Sequence, residues 1–107
     1  MDTITPQEFR DRDGVEEWNP TESGAFATFD TGDFATGARL FSQIAVLADA
    51  ADHHPDVDVR YATLRVRLFT HSAKGLTDAD AALAARISLA AKDLKVHAIP
   101  DDAHDMG

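Results

Sequence analysis

Of the 107 residues, 47 are apolar and 19 of those are Ala, so only 28 larger apolar side chains can fill an interior; this suits one domain over residues 1–107 with a thin core. Ten Lys and Arg against 19 Asp and Glu leave a formal charge of −9, which argues against nucleic acid and against an anionic membrane surface as partners. No apolar run approaches the ~20 residues that cross a bilayer; Met1-Asp2-Thr3 lacks the basic start of an export signal and Cys is absent, so the expectation is a cytoplasmic protein working without thiolates or disulfides.

Thr5-Pro6-Gln7-Glu8 offers an N-cap, a Pro at the first helical position and an acid three residues after the cap, which predicts a short first helix. Asp13-Gly14 breaks it. Trp18 to Glu22 and Ala25 to Asp30 read as two strands around a turn at Glu22-Ser23-Gly24. From Asp33 the period becomes helical, with Phe34, Ala38, Phe41, Ile44 or Ala45, and Ala48 forming a stripe that Leu40 and Leu47 widen. This second helix runs to about Ala51, because Pro55 forbids continuation and drives His54 into an extended conformation.

Val57, Val59 and Tyr61 then alternate with Asp58 and Arg60, and after a reversal near Ala62, Leu64, Val66 and Leu68 alternate with Arg65, Arg67, Phe69 and His71. Two strands forming a hairpin follow from that period of two. Thr77-Asp78-Ala79-Asp80 is a capping box, and Leu83, Ile87, Ala90 or Ala91, and Leu94 carry a third helix. The residues from about Lys95 read as a polar tail. The order helix, two strands, helix, two strands, helix predicts an α+β fold: a four-stranded antiparallel sheet with three helices on one face. With so much Ala the monomer buries little area, so a homodimer or homotetramer is expected.

Three of the five His fall where predicted elements end: His53 and His54 after the second helix, and His71 after the last strand. Asp49, four residues before His53, would share a helix face with it if the last turn persists, and a neighbouring carboxylate favours the charged imidazole. A surface ion pair that also satisfies the helix end is the commoner explanation of Asp49 and His53 taken alone, the capping box explains Asp80, and an exposed strand end explains His71. His97 and His104 read as solvated. No Ser stands in a glycine-flanked elbow and there is no phosphate loop. Zinc held by Asp49, His53 and His71 is a weak alternative, because no close ligand spacing supports it. Imidazoles and carboxylates without a nucleophile fit proton transfer at a neutral organic substrate, as in elimination or hydration.

Asp49, His53-His54-Pro55, Tyr61, His71 and Asp80, with Trp18, Asp33-Phe34, Phe41, Thr70 and Gly75-Leu76-Thr77 around them, resemble the signature of the pterin-4α-carbinolamine dehydratases over roughly residues 18–94. The resemblance implies the same α+β order and a hydro-lyase that dehydrates 4a-hydroxytetrahydropterin to quinonoid dihydropterin in tetrahydrobiopterin-type recycling, without metal or redox cofactor. It implies His53, His54 and His71 as acid–base residues, Asp49 and Asp80 as their supports, and Asp52, Thr70 and Ser72 beside the pterin. Some members of the family also serve as dimerisation partners of transcription factors, so a non-catalytic protein-binding module is the alternative. The chain departs from the family pattern at Val57, where an aromatic residue is usual, and in its short first helix.

Overall fold

Each helix starts where a side-chain oxygen takes up a backbone N–H that has no partner within the helix. The computed structural model describes residues 2–100. Helix α1, Pro6–Arg10, begins with a reciprocal box in which Glu8 N–H donates to Thr5 Oγ1 at 3.0 Å and Thr5 N–H donates to Glu8 Oε1 at 2.8 Å. Helix α2, Phe34–Ala51, is capped by Asp33, whose Oδ1 accepts from Thr36 N–H at 2.7 Å. Helix α3, Asp78–Asp93, follows Thr77, whose N–H donates to Asp80 Oδ2 at 2.9 Å.

Strands β1, Asn19–Thr21, and β2, Gly24–Asp30, form the first hairpin; β3, Asp56–Val59, and β4, Thr63–Leu68, form the second. All pairings are antiparallel, in the order β1-β2-β4-β3. A fifth strand, β5, His97–Ala98, pairs with Phe29 and Asp30 of β2. The four-strand expectation is therefore corrected to five, and the tail expected from Lys95 contains a strand and a buried Val96. Two residues are too few to display a period, which is why β5 was not legible. His97 is exposed as expected, and His104 lies outside the described residues.

Alternation on β2 and β4 sends Ala25, Ala27, Phe29, Leu64, Val66 and Leu68 inward, where they meet Leu40 and Ile44 of α2 and Leu83 and Ile87 of α3 in one apolar cluster. The stripe on α2 differs from expectation. Gly37, Leu40, Ile44 and Ala48 are buried, while Phe34 and Phe41 are exposed. Gly37 belongs to the buried row because a Cβ there would stand 3.2 Å from Val59 Cγ1, so the helix can approach β3 closely. Among the described residues no helix is long and apolar enough to cross a membrane.

The bonds that cap α2 make its start sensitive to pH. The Thr36 hydroxyl and then the Thr36 backbone N–H hold the Asp33 carboxyl below its ordinary value of 3.8. A carboxylate whose pKa falls on folding adds stability above its unfolded value and loses it as the pH drops through the folded value. Asp33→Ala should therefore be less stable than the parent in urea at pH 7, and the difference should shrink as the pH is taken below 3.8.

Candidate active site

The end of α2 decides where its two histidines go. Asp52 lies in the left-handed region, φ 51° and ψ 43°; His53 N–H donates to Ala48 O at 3.1 Å and Asp52 N–H to Asp49 O at 3.2 Å. These are the paired bonds of a Schellman ending, with Asp in a position usually given to Gly. The reversal ends the helical register before His53, so Asp49 and His53 do not pair as the spacing predicted. Asp49 Oδ1 instead bonds Nε2 of His54 at 2.9 Å, with both side chains exposed.

His53 is directed to the first turn of α3, where its Nε2 lies 2.5 Å from Asp80 Oδ1. Asp80 is wholly buried. Its other oxygen, Oδ2, accepts from Thr70 Oγ1–H at 2.8 Å and from Thr77 N–H at 2.9 Å. Because the Thr70 proton is committed to the carboxylate, the 2.8 Å contact between Thr70 Oγ1 and Thr77 Oγ1 has Thr77 as donor. The capping residue is thus also the floor of a polar network. With Asp80 as acceptor, Nε2 of His53 carries a hydrogen, and in the neutral ring the lone pair is then on Nδ1.

Sheet register brings the second histidine segment to the same place. Asp56 pairs with Arg67, so the start of β3 and the end of β4 lie at one end of the sheet, with His53 and His54 just before one and His71 just after the other. Thr70 and Gly75 form a bridge that closes the loop between β4 and α3, and the amino-terminal segment secures its far side: Thr3 bridges Thr77, and Ile4 N–H donates to Leu76 O at 2.8 Å. Arg12 adds an ion pair to Asp78 at 2.8 Å.

Of the residues singled out from sequence, His53, Asp80 and Thr70 meet in one hydrogen-bonded group, and His54 and Asp49 form a separate surface pair. His71 is exposed, on the side of the chain opposite the buried Thr70. Asp52 and Ser72 are exposed, Asp52 serving as the helix ending. The set Asp49, His53 and His71 does not converge on a metal: among the described residues no three His, Cys, Asp or Glu side chains are placed to hold one. The part of Thr77 in the network was missed, since its capping role already accounted for it.

A family model described as pterin 4 alpha carbinolamine dehydratase matches residues 2–90. The chain belongs to this family. A provisionally named pterin-4-alpha-carbinolamine dehydratase of Chloroflexus aurantiacus is 42% identical over 71 residues, 66% of this chain and 76% of the relative. Another from Acidobacterium capsulatum is 34% identical over 88 residues, covering 81% and 96%. A crystal structure from Brucella melitensis, titled transcriptional coactivator/pterin dehydratase, superposes with a TM-score of 0.72 at 29% identity, covering 84% of this chain and 99% of that one. The α+β architecture of three helices on an antiparallel sheet is therefore shared with the pterin dehydratases.

Removing the buried carboxylate should damage the fold, because it strands the Thr77 N–H, the Thr70 hydroxyl and the His53 ring. Asp80→Ala should lose about 2–4 kcal/mol in urea denaturation, whereas Asp49→Ala, which breaks an exposed pair, should lose less than about 1 kcal/mol. Equal losses would contradict the division into a buried and a surface pair.

Proposed function

We propose that the protein removes water from a 4a-hydroxytetrahydropterin to give the quinonoid dihydropterin, in the recycling of a tetrahydrobiopterin-type cofactor. Membership of the family supports the reaction, and the bond from His53 to the wholly buried Asp80 is the observation that carries its acid–base character. The substrate bears a hydroxyl on C4a beside N5–H. Dehydration breaks the C4a–O bond and forms the C4a=N5 bond: an acid protonates the departing hydroxyl, a base takes the N5 proton, and water leaves. Base and acid then return to their starting forms by passing one proton between them or through solvent, so the reaction consumes no other reagent.

Imidazole suits both halves of this exchange because its ordinary pKa lies near neutrality. His53 and His54 are each held through Nε2, by Asp80 and Asp49 respectively, and each therefore has Nδ1 available to a substrate. His71 stands at the same end of the sheet on the loop that Thr70 ties to Asp80. In this reading His53, His54 and His71 transfer the protons, Asp80 and Asp49 orient two of them, Asp52 and Ser72 border the pterin, and the buried Thr70, expected beside the pterin, acts beneath the site through its bond to Asp80. The chemistry requires neither a metal nor a redox cofactor.

Self-association into a dimer or tetramer belongs to the same reading, supported by the exposed Phe34, Phe41 and Val46 of α2. A second reading, a protein-binding module, is favoured by the name transcriptional coactivator that the Brucella protein also carries. The two separate on one variant: a binding role survives His53→Ala, and dehydration does not.

Dehydration of 4a-hydroxytetrahydropterin generated in the assay, followed against the buffer blank, tests the reading directly. The parent should accelerate it, and His53→Ala, His54→Ala and His71→Ala should each lower kcat, by about 10²–10⁴-fold for the imidazoles that act as acid or base. A folded parent no faster than buffer would defeat the proposal. Light scattering should give the mass of two or four chains, reduced to one in Phe41→Asp/Val46→Asp; a parent mass of one chain would refute the self-association.

A further inference from the structure

Among the three histidines, His71 alone has no carboxylate partner. Its ring makes no hydrogen bond among the described residues; its recorded ring contact is with Phe69, edge-to-face at a centroid separation of 5.2 Å and an interplanar angle of 73°. Phe69 is held in turn. The guanidinium carbon of Arg67 lies 4.7 Å from the Phe69 ring centroid, and Arg67 is fixed at two points, Nη1 donating to Asp56 Oδ2 at 3.0 Å and Nε to Ser23 O at 2.9 Å. These contacts join the β1–β2 turn, β3 and β4 into a stack that ends on the imidazole.

The chain direction makes the arrangement effective. Phe69, Thr70 and His71 alternate, with Thr70 turned inward to Asp80 and its two neighbours turned outward. Asp80 therefore fixes the backbone beneath His71, but a fixed backbone still leaves an exposed ring free to turn about two side-chain bonds. Phe69 supplies the missing restraint, since an edge-to-face contact favours particular ring orientations.

We propose that Phe69, steadied by Arg67, is a positioning residue that orients the His71 imidazole for proton transfer. The inference rests on the dehydratase reading, in which His71 meets the pterin. Phe69 itself touches no reacting atom in this account; its effect passes through the histidine.

The test compares Phe69→Leu, which keeps bulk without an aromatic ring, with Phe69→Tyr, which keeps the ring. Phe69→Leu should lower kcat about three- to tenfold, the worth of an aromatic pair, with KM changed less than twofold, and Phe69→Tyr should restore the parent value. In NMR spectra the His71 ring protons should move in Phe69→Leu, as the ring current of Phe69 is lost, and return in Phe69→Tyr. Arg67→Gln, a change at the surface end of the stack, should shift the same resonances in the same direction and lower kcat about twofold, which keeps the idea testable should Phe69→Leu fail to fold. If His71→Ala loses activity while Phe69→Leu keeps it, or if the His71 resonances do not respond, the positioning role is wrong. If neither His53→Ala nor His71→Ala loses activity, the histidine acid–base assignment has failed instead, and a folded parent no faster than buffer fails the dehydratase reading itself.

Discussion

A carboxylate with no solvent exposure must have its charge answered by protein donors, and the Asp80 carboxylate is the constraint around which this end of the molecule is arranged. Transfer of an ionised carboxyl out of water is costly unless each oxygen is hydrogen-bonded. Here three donors come from three segments: His53 beyond α2, Thr70 beyond β4 and the backbone of Thr77 before α3. The same bonds that satisfy Asp80 therefore hold together the ends of two helices and a strand. A local helix cap has become a tertiary junction, and an imidazole is one of its members.

The rest of the fold brings those segments within reach. The Asp56↔Arg67 register sets both histidine-bearing segments at one end of the sheet, and the close approach permitted by Gly37 holds α2 against β3. Leu40 and Ile44 on α2 and Leu83 and Ile87 on α3 are buried in the same cluster as the inward row of β4. The Trp18 indole N–H donates to Ser88 Oγ at 2.9 Å, tying the approach to β1 to the middle of α3. A displacement of either helix along the sheet would pull His53 and Asp80 apart, so core packing and site geometry are set by the same contacts.

Much of this was legible from sequence because it depends on local period and local chemistry. The change from a helical to a two-residue period at Pro55 locates the end of α2 and the second hairpin, and Thr77 with Asp80 marks the start of α3. What escaped depends on tertiary partners. The residues of α2 are apolar on more than one side, so the row through Phe34, Ala38 and Phe41 is as regular as the row through Gly37, Leu40 and Ile44; only the sheet selects between them. The pairing of Asp49 with His53 assumed a continuous helical turn, which the left-handed Asp52 interrupts. The histidines stood out because they fall where predicted elements end, and Asp80 became a candidate only through the family resemblance; the partners of His53 and His54 were decided by that single reversal.

The outcome is two histidine–aspartate pairs of unlike character built from adjacent residues. His53 and Asp80 are shielded, with side chains 15% and 0% exposed, whereas His54 and Asp49 are 59% and 80% exposed. Water and salt screen the second pair and little reach the first, so an interaction of the same chemistry is stronger and more rigid in the buried pair. Side-chain entropy acts in the same direction, because Asp80 is locked by three bonds while Asp49 is free to leave its partner. One imidazole is thus fixed in tautomer and direction, and its chain neighbour can reorient at little cost. In the proposed dehydration, which needs one proton removed at a defined atom and another delivered to a departing hydroxyl, that difference would set the two imidazoles apart; it arises because Asp52 turns the chain between Asp49 and His53.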